Sequence, residues 1–330
     1  MSSSTTEASN STSADTPTTS PDLRITLIGA GTIGLSFAAF HLSHLHSPSH
    51  LTIYDTRPDL AQHVRTALPK FFPSAFPRPD ISLIAIASSL PSAVHAASII
   101  QESGPEDPAF KQSLWRTVEQ HAAPTALLWS STSGIPASVQ GLHMQDKSRV
   151  LVVHPYNPPH IMPLIELVPS PNTSPSVVSQ TQDFWTRRGR VPIHVKKETT
   201  GFVANRLAFA LLREAVHLVR EGVVDVREVD RIVETSMGPR WAVAGPFKSY
   251  HAGGGVGGLE AFFKNIGGTV QGCWDDGAKV NVGEGWEDEV FRQAREAYGV
   301  VDVEERDRLT RRLLDVLDEE RAKSAEKVGE

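Results

Sequence analysis

A histidine at the end of one short apolar run and a glutamate inside the next form the pair in this chain best suited to proton transfer. Residues 153–166 read VHPYNPPHIMPLIE; His154 closes the run 150–153, and Glu166 sits inside LIELV. Imidazole is the side chain whose ordinary pKa lies nearest physiological pH. A carboxylate at one ring nitrogen fixes the tautomer, orients the ring and raises its basicity. The types and spacing therefore predict a general base, His154 at a strand end, with Glu166 returning on a nearby strand.

A second constellation lies near the start. Residues 23–28 (LRITLI) read as a strand and are followed by GAGTIG, which spaces Gly29, Gly31 and Gly34 as G-x-G-x-x-G with Thr32 and Ile33 between the last two. The apolar stretch LSFAAFHL then reads as a helix, and LTIYD as a second strand ending in Asp55. The first glycine permits a tight turn, the second lets backbone approach a pyrophosphate, and the third allows close packing. The helix N-terminus offers free N–H groups to phosphate. Asp55 comes at roughly the 20-residue separation expected of an acid that accepts from ribose hydroxyls. The unit predicts a dinucleotide site, with NAD preferred because a carboxylate repels a 2′-phosphate, and with neighbouring Arg57 keeping NADP as the lesser alternative. His41, His44, His46 and His50 crowd the end of the helix. No cysteine joins them, so they read as solvated histidines near the negative end of the helix dipole, and no metal site is expected.

These groups need a scaffold. Strand-like segments recur at 23–28, 51–55, 81–86, 97–103, 126–129, 149–153, 164–168 and 191–195, with helical stretches between them. Such alternation predicts an α/β fold, a Rossmann-type doubly wound parallel sheet. Ligands of such sheets lie beyond the C-terminal strand ends, where Glu102 and the polar turn 130–134 (SSTSG) fall. From 199 the pattern becomes helical, with helices expected over 199–221, 225–236, 287–298 and 304–323. An aromatic and glycine-rich insert, 238–263, interrupts them. The first of these helices is apolar on more than one face, which predicts burial in its own domain or in a dimer interface. The organisation expected is a Ser/Thr-rich disordered tail at 1–22, a nucleotide-binding domain at 23–198 and an all-helical domain at 199–330.

Composition narrows the partners. The 330 residues carry a net charge of −6 and a pI near 6.1, which argues against a nucleic-acid footprint. No apolar run approaches the roughly 20 residues of a membrane span. The single cysteine, Cys273, can form no internal disulfide, and the tail lacks the arginines of a transit peptide, so a cytoplasmic location is expected.

Three motifs together resemble the 3-hydroxyacyl-CoA dehydrogenase family over about residues 22–270: TLIGAGTIG; SSTSGI followed by HPYNPP and MPLIELV; and TTGFVANRL with a downstream GPF. The resemblance implies an NAD-dependent oxidoreductase acting on a 3-hydroxyl. It places the catalytic histidine and its partner at His154 and Glu166, with Ser133 and Asn205 as donors to the substrate oxygen. It also implies cofactor contacts from Gly29, Gly31, Thr32, Ile33, Gly34, Asp55, Glu102 and Ser131. Ser131 stands where the family usually has asparagine, a shorter reach toward the cofactor.

Within the family one branch takes acyl-CoA. Others take small free acids, among them L-gulonate 3-dehydrogenase with its relative lambda-crystallin, and L-carnitine dehydrogenase. The stretch GPRWAVAGPFKSYHAGGG is similar to the small-acid branches, most of all to the carnitine enzymes. By that resemblance Arg240 would pair with a free carboxylate, and Trp241 and Tyr250 would face a quaternary ammonium. An acyl-CoA substrate and a non-catalytic, crystallin-like role are the alternatives. The family's habit implies a homodimer through the helical domain. The pair at 154 and 166 makes the first prediction: His154→Ala abolishes turnover and leaves NAD binding intact, measured by steady-state rate alongside cofactor titration.

Overall fold

A computed structural model describes residues 22–72 and 78–328. Nearly all of the Ser/Thr-rich tail, and part of the Pro/Phe-rich turn after residue 72, lie outside the described residues. The chain divides into two compact units, Met1–Asn205 and Arg206–Glu330.

The first unit is built on eight strands: β1 (Ile25–Ile28), β2 (Leu51–Tyr54), β3 (Ala85–Ile86), β4 (Ile99–Glu102), β5 (Leu127–Ser130), β6 (Val150–Pro155), β7 (Leu164–Pro169) and β8 (Val191–His194). Between them run α1 (Thr32–Leu42), α2 (Leu60–Ala67), α3 (Leu90–Val94), α4 (Pro108–His121), α5 (Ala137–Gln140) and α6 (Pro175–Thr186). The strands form one sheet in the order β3-β2-β1-β4-β5-β6-β7-β8. Strands β1, β4 and β5 are buried at every residue, as strands covered on both faces must be. Alternate residues feed two cores: Leu127, Trp129, Leu151 and Val153 join Phe37, Phe184 and Trp185 on one face, while Leu128, Val150 and Val152 join Leu114 and Trp115 on the other.

The expected sheet is present, with two corrections. It is not wholly parallel: β7 runs antiparallel to β6, and β8 runs parallel to β7. The connection from His154 to β7 is too short for a crossover helix, so the chain can only fold back beside itself. The first half of the segment 81–86 is a 3-10 turn, Ile81–Leu83, and only its last two residues form a strand, the edge strand β3.

Helix α7 (Ala204–Arg220) begins in the last two residues of the first unit; the second unit is helical, with the rest of α7, α8 (Val226–Thr235), α9 (Met237–Val243), α10 (Pro246–Gly253), α11 (Gly258–Asp276), α12 (Glu287–Tyr298) and α13 (Val303–Val328). Helix α7 begins five residues later than its sequence pattern suggests, because Gly201 and Phe202 both adopt positive φ, +71° and +52°, and turn the chain first. The aromatic and glycine-rich insert is itself helical, forming α9, α10 and most of α11's first two turns. Glycines 267, 268 and 272 lower the intrinsic helix propensity of α11, which disguises a 19-residue helix in the sequence. Helix α7 is not buried within this chain: Leu207 and Phe209 are about 60% exposed, and only Val216 and Val219 of the helix are buried. No helix among the described residues is long and apolar enough to cross a membrane.

The histidine cluster after α1 also differs from expectation. His41 is not solvated; it is fully buried, stacked on Phe37 and edge-on to Phe184, with Nε2 2.8 Å from Gln101 Oε1. Helix α1 is buried from Gly34 to Leu42, so a residue on any of its faces meets apolar neighbours. Burial lowers the His41 pKa to about 3, outweighing the hydrogen bond to Gln101 that raises it. The unfolded chain takes up a proton near pH 6.5 that the folded chain refuses until pH 3. Stability therefore falls as pH drops through this window. Urea unfolding of His41→Phe should show a pH slope shallower than wild type by about 2 kcal/mol between pH 7 and pH 5; an identical slope would show that His41 titrates freely in the fold.

Candidate active site

The antiparallel register of β6 and β7 pairs His154 directly with Glu166. Residues opposed across two strands project to the same face, so twelve residues of separation become neighbours. His154 Nδ1 lies 2.8 Å from Glu166 Oε2, and both side chains are buried. The second carboxylate oxygen, Oε1, accepts from Val203 N at 2.9 Å and Ala204 N at 3.0 Å, at the start of α7. Burial by itself raises the Glu166 pKa, but the hydrogen bonds from His154 and these two amides bring it below its ordinary 4.5. An ionised carboxylate only accepts, so the proton of the neutral ring sits on Nδ1 and the Nε2 lone pair is left for an incoming proton. Nε2 has no hydrogen-bond partner among the described residues. The Phe202 ring, fully buried, packs against the imidazole with ring centroids 5.2 Å apart.

Asn205 follows directly on those two amides. Its Nδ2 donates to the Ser133 carbonyl at 3.2 Å, so the structure brings Ser133 and Asn205 together and links both to the His154–Glu166 pair through the 203–205 backbone. The turn carrying Ser133 is held by a residue the sequence did not reveal. Glu106 accepts from Thr132 Oγ1 at 2.6 Å and from the Ser133 backbone N–H. The Ser133 amide and carbonyl are therefore both occupied, and its hydroxyl is the group left for a ligand.

The glycine turn has the form expected. Gly29 takes φ +100°, and a Cβ there would stand 2.6 Å from Ser103 O; a Cβ on Gly34 would stand 2.0 Å from Gly29 O. The third glycine thus lets α1 close onto its own turn. At Gly31 nothing lies within 4 Å, and the α1 N-terminus it caps has no side-chain cap. Thr32 is exposed at this terminus, while Ile33 packs against the core and offers only backbone. Asp55 braces the turn: Oδ2 accepts from Ala30 N at 2.7 Å and Oδ1 from Arg57 N at 3.0 Å. A cleft of about 460 Å³ is lined by Gly29, Gly31, Tyr54, Asp55, Ser103 and Phe110, among others. The Ser103 hydroxyl is buried and without a partner among the described residues. An uncapped helix start, a glycine that leaves open space, an acid and an orphan hydroxyl together fit a dinucleotide. Arg57 is held by Asp59, with Nε 2.8 Å from Oδ1 and Nη2 3.2 Å from Oδ2, so the cation that kept NADP open already faces a carboxylate.

Two expected cofactor residues, Glu102 and Ser131, are buried and hydrogen-bonded within the fold. Glu102 is fully buried. Lys111 Nζ reaches both of its oxygens at 2.7 and 2.9 Å, Gly104 N donates to Oε1 at 2.6 Å, and Ser130 Oγ donates to Oε2 at 2.8 Å. Three donors fill the four acceptor sites of this carboxylate, and Glu102 thereby ties together the loops after β4 and β5. Lys111 was legible in principle: it shares a stripe with Leu114, Trp115 and Val118 on α4, all buried, and a lysine on an apolar stripe needs a buried acid. Ser131 is nearly buried, and Gln101 Nε2 donates to its Oγ at 3.0 Å. Arg240 and Trp241 lie on α9 and Tyr250 on α10, all exposed in the second unit. Tyr250 packs on Phe262, ring centroids 4.9 Å apart. The Arg240 side chain has no hydrogen bond or ion pair among the described residues.

Comparison with known proteins agrees with this architecture. Residues 24–199 match the NAD-binding domain of 3-hydroxyacyl-CoA dehydrogenase, and residues 201–275 match its C-terminal domain. The chain is 35% identical over 265 residues to a 3-hydroxyacyl-CoA dehydrogenase of Gibberella moniliformis, covering 76% of this chain and 80% of the relative. It is 32% identical over 259 residues to an L-carnitine dehydrogenase of Streptomyces griseus, covering 76% of each. Among solved structures it resembles an NAD+-dependent dismutase, 5-formyl-3-hydroxy-2-methylpyridine 4-carboxylic acid 5-dehydrogenase, with a TM-score of 0.74 and 26% identity over 89% of this chain and 98% of that one. With both domain matches in sequence order and a histidine and a glutamate paired across β6 and β7, this chain belongs to the 3-hydroxyacyl-CoA dehydrogenase family, NAD-dependent dehydrogenases of CH–OH groups.

Proposed function

We propose that this enzyme oxidises the 3-hydroxyl of a small free L-3-hydroxy acid, gulonate- or carnitine-like, to the 3-oxo acid. The observation that carries the chemistry is the buried His154–Glu166 pair, with Nδ1 committed to the carboxylate and Nε2 open. His154 Nε2 takes the hydroxyl proton as the substrate C–H bond breaks. NAD, when bound, supplies the hydride acceptor. Glu166 stabilises the imidazolium that forms, and its two backbone donors keep it ionised while doing so. The Ser133 hydroxyl and the remaining Asn205 amide hydrogen are neutral donors suited to the oxygen as alkoxide character grows. The turn and α1 N-terminus would hold the pyrophosphate through Gly29, Gly31, Thr32, Ile33 and Gly34, and Asp55 would take the adenosine ribose.

The free-acid reading rests on Arg240, a cation without an acid partner among the described residues, and on the several L-carnitine dehydrogenases among the relatives. A guanidinium suits a carboxylate through two parallel hydrogen bonds, and Trp241 and Tyr250 would add the aromatic faces a quaternary ammonium needs. The relative named 3-hydroxyacyl-CoA dehydrogenase favours a thioester as the second reading. NADH formation with L-carnitine, L-gulonate, L-3-hydroxybutyrate and L-3-hydroxybutyryl-CoA decides between them. Turnover on a free acid and not on the thioester is expected; turnover on the thioester alone would overturn the free-acid reading.

The same proposal includes a cytoplasmic enzyme that works as a homodimer through its helical unit. Support comes from the apolar surface of that unit, where Phe209, Leu212, Phe247 and Trp274 are all more than half exposed. A single chain that left this surface in water would forgo roughly 25 cal/mol for each Å². Sedimentation equilibrium should give twice the chain mass, and Leu212→Glu should shift it toward monomer. A monomeric wild type would refute the dimer.

A further inference from the structure

A buried hydrogen-bonded chain runs through the sheet beside the site and is used by none of the chemistry above. It starts at His41 on α1, passes through Gln101 in β4 and ends at Ser131 just beyond β5. His41 Nε2 is 2.8 Å from Gln101 Oε1, Gln101 Nε2 is 3.0 Å from Ser131 Oγ, and all three residues are buried. Direction along this chain is set by what each group can do. Burial keeps His41 neutral, so one ring nitrogen carries the hydrogen. Its Nδ1 is buried with no partner among the described residues. An orphaned N–H costs more in a core than an orphaned lone pair, so the hydrogen sits on Nε2 and donates to Gln101 Oε1. The amide of Gln101 is thereby oriented with its NH₂ toward Ser131. Ser131 Oγ accepts, and its own hydrogen is left to donate elsewhere.

Ser131 stands in an informative place. In the strand order β1-β4-β5-β6, the glycine turn follows β1 and His154 ends β6, so the β5 end lies between the phosphate cradle and the base. A dinucleotide laid from cradle to base must carry its nicotinamide past that strand end. We propose that Gln101, held by His41, is a positioning residue that makes the Ser131 hydroxyl a one-way donor to the carboxamide oxygen of the nicotinamide. The polar pair within the core compensates for the short side chain at 131: a serine whose hydrogen could turn inward would hold the ring poorly, and Gln101 forbids that turn. This inference rests on the NAD-dependent reading of the site.

The test compares binding of NADH with binding of ADP-ribose, which lacks the nicotinamide, by titration calorimetry on the full chain and its Ser131→Ala, Gln101→Leu and His41→Phe variants. His41→Phe keeps an aromatic ring among Phe37, Phe184 and Trp185 and serves where Gln101→Leu does not fold. Each variant should weaken NADH binding roughly three- to tenfold, the worth of one hydrogen bond, and leave ADP-ribose within twofold. Gln101→Leu added to Ser131→Ala should weaken NADH no further. The KM for NAD should rise while the KM for the hydroxy acid holds. Unchanged NADH affinity in Gln101→Leu and His41→Phe, or an equal loss for ADP-ribose, would overturn the relay and leave the dehydrogenase reading standing. Wild-type protein that binds neither ligand would overturn both.

Discussion

The carboxylate of Glu166 is the constraint on which the site depends. It is a buried negative charge, and such a charge is tolerated only where enough donors surround it. One oxygen is given to the imidazole of His154, the other to two backbone amides at the start of α7. Those amides are available because Gly201 and Phe202 turn through positive φ and present the chain end-on. The Phe202 ring, delivered by the same turn, packs against the imidazole. Tautomer, ring orientation and the position of Asn205 are thus consequences of satisfying one charge.

The same device recurs along the C-terminal edge of the sheet. Glu102 gathers Lys111, Gly104 and Ser130, and so joins the loops after β4 and β5. Glu106 gathers the turn that bears Ser133. Asp55 gathers Ala30 in the glycine turn. Loops at a ligand-binding edge cannot be held by apolar packing without filling the cleft. Acids anchored in or beside the strands hold them through backbone N–H groups instead, and a ligand meets the edges left open.

The helical unit follows a different economy. Its buried apolar residues are few, Val216, Val219 and Val280 among them, whereas the sheet unit has two cores interleaved through one set of strands. Side chains of α7 that read as core in the sequence lie in the open in the single chain. Amphipathic periodicity says that a face must be covered and says nothing of whether the covering atoms belong to the same molecule.

How much was readable from the residues divides along a physical line. Period and punctuation are local, so the eight strand segments, the glycine turn with Asp55, and the all-helical second half could be read directly; the types of His154 and Glu166 could be read as a base and its partner. What needed the fold was everything set by pairing across distance. The reversal at β7, which makes His154 and Glu166 register partners, comes from a connection too short to cross over. The occupancy of Glu102 comes from Lys111, a residue whose place on an apolar stripe is visible but whose partner is not. His41 read as solvated because it ends a helix, and is buried because that helix is covered on every side. Helix α11 was hidden by its glycines, whose local cost tertiary packing overrides. The sequence by itself determined which groups could do chemistry and which segments were regular. Tertiary structure alone decided which of those groups are already satisfied, since a hydrogen-bonding capacity is filled by neighbours in space and not by neighbours in the chain.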